Sequence, residues 1–168
     1  MCALNLRDET PMKLDKIDYR ILSALAANAR ITMLALADKV GLSKTPCQRR
    51  VHMLEEAGVI RGYTVAVDTQ KIGINVCVFA SVEFNQMDPG MIADFEALVE
   101  RSPEISECYV TTGTSDFLVK IVAPDFAHYE NFLKTKLLAL AGIRRINTTF
   151  AYRSVKDRSS VIFSTLGG

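Results

Sequence analysis

The sequence has few of the residues on which catalysis and metal binding depend. Its 168 residues include no Trp, two His and four Cys, and the cysteines are far apart along the chain. Because no C-x-x-C pair and no neighbouring His pair occurs, a zinc site or a Cys-His nucleophile has little support. The G-x-S-x-G, Walker A and G-x-G-x-x-G motifs are also missing. We therefore expect no catalytic residue, no metal ion and no cofactor.

Long apolar runs are missing as well. No uncharged run approaches the roughly 18 residues that a membrane-spanning helix needs. The N-terminus also lacks the basic stretch and apolar core of a secretory signal. With 49% hydrophobic and 23% charged residues the chain is typical of a globular protein of one large or two small domains. We expect a cytoplasmic protein without a membrane partner.

Neither sign of charge dominates the chain. The formal net charge is +1, but residues 1–75 carry 11 Lys and Arg against 8 Asp and Glu, whereas the remainder carries 9 against 11. The N-terminal part is therefore the cationic one, as contact with nucleic acid requires. The bias is too weak to decide the matter without a motif.

The most informative segment runs from Gly41 to Gly58, with the sequence GLSKTPCQRRVHMLEEAG. We predict a helix here with Ser43 as its N-cap and Pro46 in the first turn, where the missing amide proton has no intrahelical partner to lose. The first amides of such a helix can bind a phosphate. One side of the helix is apolar and the other is polar and cationic; the outward residues are Lys44, Thr45, Gln48, Arg49 and His52.

Three apolar stripes indicate one small core. A first helix opens with Asp15 as N-cap and Asp18 three residues on, and a second is predicted from about Met33 to Val40. Together with the third segment they form a helix-turn-helix, whose last helix enters the major groove of DNA. An ordinary three-helix bundle with a solvated basic face is the alternative. The stripes comprise Ile17, Ile21, Leu22 and Leu25; Met33, Leu36, Ala37 and Val40; and Cys47, Val51 and Leu54.

The polar side chains of the third helix have two expected roles. We expect Gln48 and Arg49 to contact base edges, which carry the sequence information of DNA. Lys44, Thr45 and Arg50 are expected to serve backbone phosphates or helix packing. The full predicted DNA-binding set is Ser43, Lys44, Thr45, Gln48, Arg49, Arg50 and His52.

A second domain follows a strand and a linker. Val59 to Asp68 contains β-branched residues in near alternation and predicts a short strand, while residues 69–75 are typical of a linker. We place the helix-turn-helix domain at residues 13–62, the strand and linker at 63–75, and the second domain at 76–162.

The second domain has the element order βαββαβ. Such an order predicts the ferredoxin-like split βαβ fold, with two helices on one face of a four-stranded antiparallel sheet, and an α+β class for the whole chain. The other sheet face is uncovered yet also carries apolar side chains, so we expect at least a homodimer. The predicted elements are strands at 76–84, 105–112, 117–123 and 143–152, a helix from Asp88 to about Ser102, and the longest helix of the chain after Asp125, ending at Gly142.

Several motifs of the chain resemble those of a known family. They are L-D-x-x-D at 14–18, L-S-x-T-P-C-x-x-R-V at 42–51, G-V-I-x-G-Y at 58–63 and G-x-x-D at 113–116 before an apolar strand. From about residue 13 to 162 the chain is similar to the Lrp/AsnC, or feast/famine, regulators. The resemblance implies a winged helix-turn-helix joined to an effector-binding αβ sandwich, dimers that assemble into octamers at the nucleoid, and control of transcription by an amino acid or related metabolite.

The resemblance also implies an effector site near the turn at 113–116. Exposed amides around Thr112 can bind a carboxylate and Asp116 can pair an ammonium group, and an α-amino acid presents both. Taken alone, the turn is an ordinary hairpin connection, and Phe126 and Phe150 could equally be core residues. By family correspondence the effector set is Val110, Thr112, Gly113, Asp116, Phe126, Thr149, Phe150 and Ala151, of which those from Phe126 onwards belong to the same or to a partner subunit.

Three functions compete at this point. The leading hypothesis is a sequence-specific, effector-responsive transcriptional regulator that binds double-stranded DNA. A ligand-independent architectural DNA-binding protein is the second, and only the first makes use of Gly113 and Asp116. The third is a small-molecule-binding or enzymatic ferredoxin-like protein, which the missing catalytic motifs disfavour.

Overall fold

A computed structural model describes residues 12–86 and 88–155 of the chain. These residues divide into two compact units, whose described parts are residues 12–66 and 67–155. Each unit has its own buried apolar core. Residues 156–162, which the sequence analysis assigned to the second domain, lie outside the described residues.

The N-terminal unit consists of three helices, as predicted. They are α1 (Lys16–Ala27), α2 (Met33–Val40) and α3 (Lys44–Glu56). The predicted apolar stripes pack against one another in a single core, which confirms the helix-turn-helix. Its buried members are Ile21, Leu22, Ala24, Leu36, Ala37, Val40, Cys47, Val51 and Leu54.

Local chemistry sets the ends of these helices. The Asp15 carboxylate accepts hydrogen bonds from the amides of Ile17 and Asp18, and the Asp18 side chain accepts one from the Asp15 amide. This reciprocal arrangement is the predicted capping box. Gly41 ends α2 with φ of 77°, a left-handed conformation that favours glycine and turns the chain toward α3.

The prediction of a strand from Val59 to Asp68 was wrong, since the structure has none there. Residues 57–69 contain neither helix nor strand, and the linker holds a single 3₁₀ turn, Gln70–Ile72. Alternating β-branched residues favour strand backbone, but a strand also needs a neighbour for its amides and carbonyls. Tyr63, Val65 and Val67 are accordingly exposed.

The second unit has the predicted βαββαβ order. Its four strands form one antiparallel sheet in the spatial order β2-β3-β1-β4, which is the ferredoxin-like arrangement. The strands β2 and β4 are each two residues shorter at their C-terminal ends than predicted. The elements are β1 (Val76–Phe84), α4 (Pro89–Arg101), β2 (Ile105–Val110), β3 (Phe117–Ala123), α5 (Phe126–Phe132) and β4 (Ile143–Phe150).

The second helix of this unit differs from its prediction. Instead of the longest helix of the chain, α5 has 7 residues and passes into a five-residue π-helical turn, Leu133–Leu137. The Leu138 amide donates to the Leu133 carbonyl five residues back, so the helical hydrogen-bond pattern widens and stops before Gly142. Both α3 and α4 are longer, with 13 residues each.

Successive side chains along each strand point to opposite sides, so the sheet has two distinct faces. The residues of β1 and β3 that face α4 and α5 are buried with Phe95, Leu98, Tyr129 and Phe132 of those helices. On the opposite face Phe79 of β1 lies between Lys120 of β3 and Thr149 of β4. No described helix lies on this second face, which we call the open sheet face; its apolar members are Phe79, Tyr109, Leu118 and Val122.

Candidate functional site

One exposed face of α3 carries the predicted DNA-contacting side chains. The polar residues of this face are exposed, whereas Cys47 and Leu54 on the other side are fully buried. Because residues three and four apart on a helix lie on the same side, these side chains form one surface about two turns long. Among the described residues neither Lys44 nor Arg49 has an ion-pair partner. The face comprises Lys44, Thr45, Gln48, Arg49 and His52.

Ser43 occupies the N-cap position of α3 but does not cap it. Its backbone has extended angles, φ −78° and ψ 162°, yet its side chain makes no capping hydrogen bond. The prediction of the position is confirmed, and that of a capping role is not. A helix whose first amides lack a side-chain acceptor retains donors for an external anion.

Arg50 points away from this face and toward α1. Its guanidinium Nη1 lies 2.7 Å from a carboxylate oxygen of Asp15 and 2.7 Å from one of Asp18. The hydrogen bonds that Arg50 donates to Asp18 and, second in size, to Asp15 raise the pKa of Arg50 above its ordinary value. Of the two roles expected for Arg50, the geometry supports helix packing and not phosphate contact.

Acidic residues mark the C-terminal limit of the cationic face. The His52 imidazole lies 3.2 Å from a carboxylate oxygen of Glu56, and the Tyr63 hydroxyl donates to Glu55 at 2.8 Å. Burial, and then this bond to a carboxylate, raise the pKa of Tyr63. Because carboxylates repel phosphates, the cationic face is confined to the first two turns of α3.

The loop between β2 and β3, residues 111–116, is held by its own polar groups. The Thr111 hydroxyl donates to the Ser115 carbonyl at 2.7 Å, and the Thr111 amide donates to the Asp116 carbonyl at 2.8 Å. The Asp116 amide donates to the Val82 carbonyl, which anchors the loop to β1. Gly113 has φ of 128°, a conformation that side-chain-bearing residues rarely adopt.

Asp116 has a local structural role that was not predicted from the sequence. Its Oδ2 accepts a hydrogen bond of 2.7 Å from the Phe84 amide, and in the described part of the chain its Oδ1 has no hydrogen-bond partner. The amides of residues 112–115 likewise make none of the described hydrogen bonds. The loop therefore presents unbonded amides near a carboxylate with one unbonded oxygen, the two features that the amino acid hypothesis requires.

Phe126 and Phe150 form an exposed aromatic surface at the start of α5 and the end of β4. Their ring centroids are 5.7 Å apart, and the buried Tyr129 ring lies 5.3 Å from Phe150 in an edge-to-face arrangement. Phe126 is 58% exposed and Phe150 46% exposed. Neither is a simple core residue, which was the alternative for both.

Within one chain the structure separates the predicted effector residues into two groups. Val110 at the end of β2 is in register with Phe117, which pairs with Val82, whereas Phe150 pairs with Val78. Four residues of strand span about 13 Å, and β2 and β4 are three strand spacings apart, about 14 Å. A single amino acid cannot touch both groups in one subunit. One group is Val110, Thr112, Gly113 and Asp116; the other is Phe126, Thr149, Phe150 and Ala151.

The side chains of the second group also point in different directions. Thr149 pairs with Phe79 on the open sheet face, whereas Phe150 pairs with Val78 on the helix-covered face. Successive residues of a strand point to opposite faces, so these two predicted residues do not line the same wall. Ala151, whose amide donates to the Cys77 carbonyl, is exposed beyond the end of β4.

Several residues have a role in the structure that was not predicted from the sequence. Asp15 and Asp18 were predicted as caps of α1, but not as partners of Arg50. Tyr129 was not predicted as a site residue, although its apolar spacing and its hydroxyl are both visible in the sequence. Within residues 12–86 and 88–155, no cluster of three or more His, Cys, Asp or Glu is placed to hold a metal ion, and no helix is long and apolar enough to cross a membrane.

Both units match known protein families. Residues 14–61 match a winged helix-turn-helix DNA-binding domain, and residues 77–161 match the Lrp/AsnC ligand binding domain. The chain belongs to the Lrp/AsnC family. It is 38% identical over 148 residues to the Bkd operon transcriptional regulator of Pseudomonas aeruginosa, covering 88% of this chain and 97% of that protein. It is 35% identical over 152 residues to the leucine-responsive regulatory protein of Salmonella typhimurium, covering 90% and 93%.

Solved structures of transcriptional regulators have the same fold. A transcriptional regulator of Neisseria meningitidis in complex with L-Met has a TM-score of 0.87 and 30% identity, covering 92% of this chain and 99% of that one. An AsnC family regulator from Agrobacterium tumefaciens has a TM-score of 0.85 and 33% identity, covering 91% and 99%. The protein is a ligand-responsive, DNA-binding transcriptional regulator and not an enzyme.

Proposed function

We propose that α3 reads its DNA site through Gln48 and Arg49. Both side chains are exposed on the face opposite the core, and both amide and guanidinium groups can form paired hydrogen bonds with base edges in the major groove. Lys44 and Thr45 lie one turn nearer the open N-terminus of α3, where phosphate contacts are favoured. Ser43 and His52 border this surface, and Arg50 positions the helix from behind.

We propose that the effector is an α-amino acid and that two copies of the chain complete its site. The loop at 112–116 of one copy offers unbonded amides to the carboxylate and Asp116 to the ammonium group. Phe126 and Phe150 of another copy contact the side chain, with Ala151 and Thr149 at the border. The separation of these two groups across the sheet is the observation that carries the proposal. An L-Met complex of a related regulator agrees with this ligand class.

We propose that the homodimer forms through the open sheet face. Phe79 and Tyr109 are each more than a third exposed there, and burial of such side chains against a second copy is favourable. The Glu107 carboxylate accepts hydrogen bonds from Tyr109 and Lys120 on the same face, which lower the pKa of Glu107. We further propose that these dimers assemble into octamers. The octamers would act in the cytoplasm, at the nucleoid.

A thermal-shift screen of the twenty amino acids on the full-length protein tests the proposed effector class. A ligand at one hundred times its Kd stabilises the native state by about 2.7 kcal/mol, which raises the melting temperature by several degrees in a protein of this size. The methyl ester of the amino acid that binds is the control, because it keeps the ammonium group but loses the carboxylate. Equal shifts from ester and acid, or no shift from any amino acid, contradict the proposal.

A further inference from the structure

Tyr129, whose buried hydroxyl has no hydrogen-bond partner among the described residues, packs its ring against the aromatic surface formed by Phe126 and Phe150. Tyr129 of α5 is only 2% exposed, and among the described residues its Oη is the one buried side-chain polar atom that has no partner. Folding removes this group from water without replacing the lost hydrogen bonds. Such groups are rare in native proteins, and each calls for an explanation, of which a bound water, ion or ligand that supplies the missing bond is one.

The aromatic rings around Tyr129 form a partly exposed apolar surface, as in the wall of a pocket, and not a closed core. Tyr129 is packed edge-to-face on Phe150 at 5.3 Å and is tilted against Phe126 at 6.1 Å. The two phenylalanine rings that contact the Tyr129 ring are themselves about half exposed. Apolar area on the outside and one polar group within it is the usual composition of a small-molecule site, in which the polar group sets orientation and specificity.

We propose that Tyr129 determines effector specificity by forming a hydrogen bond with a polar atom of the effector side chain. The inference rests on the proposed function, in which the 112–116 loop of another copy holds the carboxylate and ammonium groups. Phe126 and Phe150 then contact the apolar part of the side chain. The effector class is thereby narrowed to amino acids whose side chain combines an apolar body with one hydrogen-bonding group.

The physical basis is the asymmetry between paired and unpaired polar groups. Because the free protein already buries the hydroxyl without a partner, a ligand that carries a matching atom gains a hydrogen bond with no further desolvation of that hydroxyl, whereas an apolar analogue gains none. An aromatic wall alone discriminates weakly between side chains of equal shape. Preference between isosteric side chains is therefore a direct readout of the Tyr129 hydroxyl.

Calorimetric titration of full-length wild type and Tyr129→Phe with isosteric amino acid pairs tests the inference. The pairs are tyrosine and phenylalanine, threonine and valine, asparagine and leucine, and glutamine and methionine. For the pair whose side-chain shape matches the site, wild type is expected to bind the polar member at least tenfold more tightly than the apolar member. In Tyr129→Phe the preference falls below about twofold, while affinity for the apolar member is unchanged. Tyr19→Phe, the same chemical change in α1, is the control and keeps the wild-type preference.

Thermal unfolding without ligand provides a second readout. If the hydroxyl has no partner in the free protein, Tyr129→Phe melts at the wild-type temperature or above it. A lower melting temperature shows that the hydroxyl already has a partner, such as a bound water, and overturns the inference. Equal binding of both members of every pair by wild type also overturns it, although the amino acid effector then stands. If no amino acid binds wild type, the proposed effector class fails and the inference fails with it.

Discussion

The Arg50 guanidinium of α3 is paired at 2.7 Å with the Asp18 carboxylate of α1. The Asp18 side chain is 6% exposed and that of Arg50 25% exposed, so the contact is shielded from water and weakly screened by salt. The same two acids form the capping box of α1, and Arg50 therefore joins the N-terminus of α1 to the middle of the recognition helix. The placement of α3 against α1 depends on this contact as well as on the apolar core.

Arg50→Ala is expected to destabilise the DNA-binding unit by roughly 2–4 kcal/mol, because the largely buried Asp18 carboxylate loses its counter-charge. Arg49→Ala is the matched control. Arg49 is exposed, and among the described residues it has no ion-pair partner, so its loss is expected to change stability by no more than about 0.5 kcal/mol. Urea unfolding of both variants gives the comparison. Equal stability of the two variants argues against a role for Arg50 in packing.

Acid is expected to weaken the same contact through Asp15. The Asp18 amide, followed by the Arg50 side chain, holds the pKa of Asp15 below its ordinary value of about 3.9. A carboxylate with a lowered folded-state pKa contributes stability above its unfolded pKa and loses it as the pH falls through the folded one. Asp15→Asn keeps an N-cap acceptor but removes the titration. The urea midpoint of Asp15→Asn should therefore fall less than that of wild type as the pH decreases below about 4. Parallel curves contradict the assignment.

The periodic parts of this fold could be predicted from the sequence. Each predicted stripe of the helix-turn-helix is buried, and β1 and β3 have the predicted bounds, because burial against one face imposes a period of 3.6 or 2 residues on the sequence. The π-helical turn at 133–137 was not predicted, since Leu133 and Leu137 suit an uninterrupted α-helix equally well. The prediction for residues 59–68 failed for the opposite reason: these residues favour a strand, but no partner strand for them lies within residues 12–86 and 88–155.

Contacts between residues far apart in the chain could not be predicted from the sequence. Nothing in the L-D-x-x-D motif shows that Asp15 and Asp18 meet a guanidinium more than thirty residues later. The family resemblance predicted a set of effector residues but not their arrangement, because only the strand order reveals that Val110 and Phe150 lie at opposite ends and edges of the sheet. The structural role of Asp116 could not be predicted either, since its bond to the Phe84 amide crosses from the loop to β1.

DNA binding is expected to separate the roles of Arg49 and Lys44. Arg49→Ala removes a base contact, which costs about 1–3 kcal/mol on the specific site and relaxes specificity at one position. Lys44→Ala removes a phosphate contact, weakens binding to all sequences alike and lowers the salt slope by about one unit. Gel shifts on specific and random DNA across a salt series distinguish the two. Equal losses on both DNAs for Arg49→Ala show that Arg49 does not read bases.

The dimer is expected to depend on the open sheet face. Phe79→Asp places a charge at a position 38% exposed in the single chain, which the isolated unit tolerates but a buried interface does not. Sedimentation should show a shift from dimer or octamer toward monomer. Leu138→Asp changes an apolar residue that is 56% exposed outside this face and should leave assembly intact. A chain that starts at Val76 should still be dimeric; a monomer there rejects the arrangement.

The effector response is expected to depend on the negative charge of Asp116. Asp116→Ala is an ambiguous test, because it leaves the Phe84 amide without its acceptor. Asp116→Asn keeps a carbonyl oxygen for that amide and removes only the charge that pairs the ligand ammonium. Its affinity for the amino acid found in the screen should fall roughly ten- to a hundredfold, the loss of about 1.5–3 kcal/mol in a charge-assisted hydrogen bond, with little change in unfolding free energy. Asp88→Asn, which preserves a helix cap in the same unit, should bind like wild type. Unchanged affinity in Asp116→Asn would show that the 113–116 segment is an ordinary hairpin turn without an effector contact. A ligand can regulate the protein only through contacts that differ between two conformational or oligomeric states.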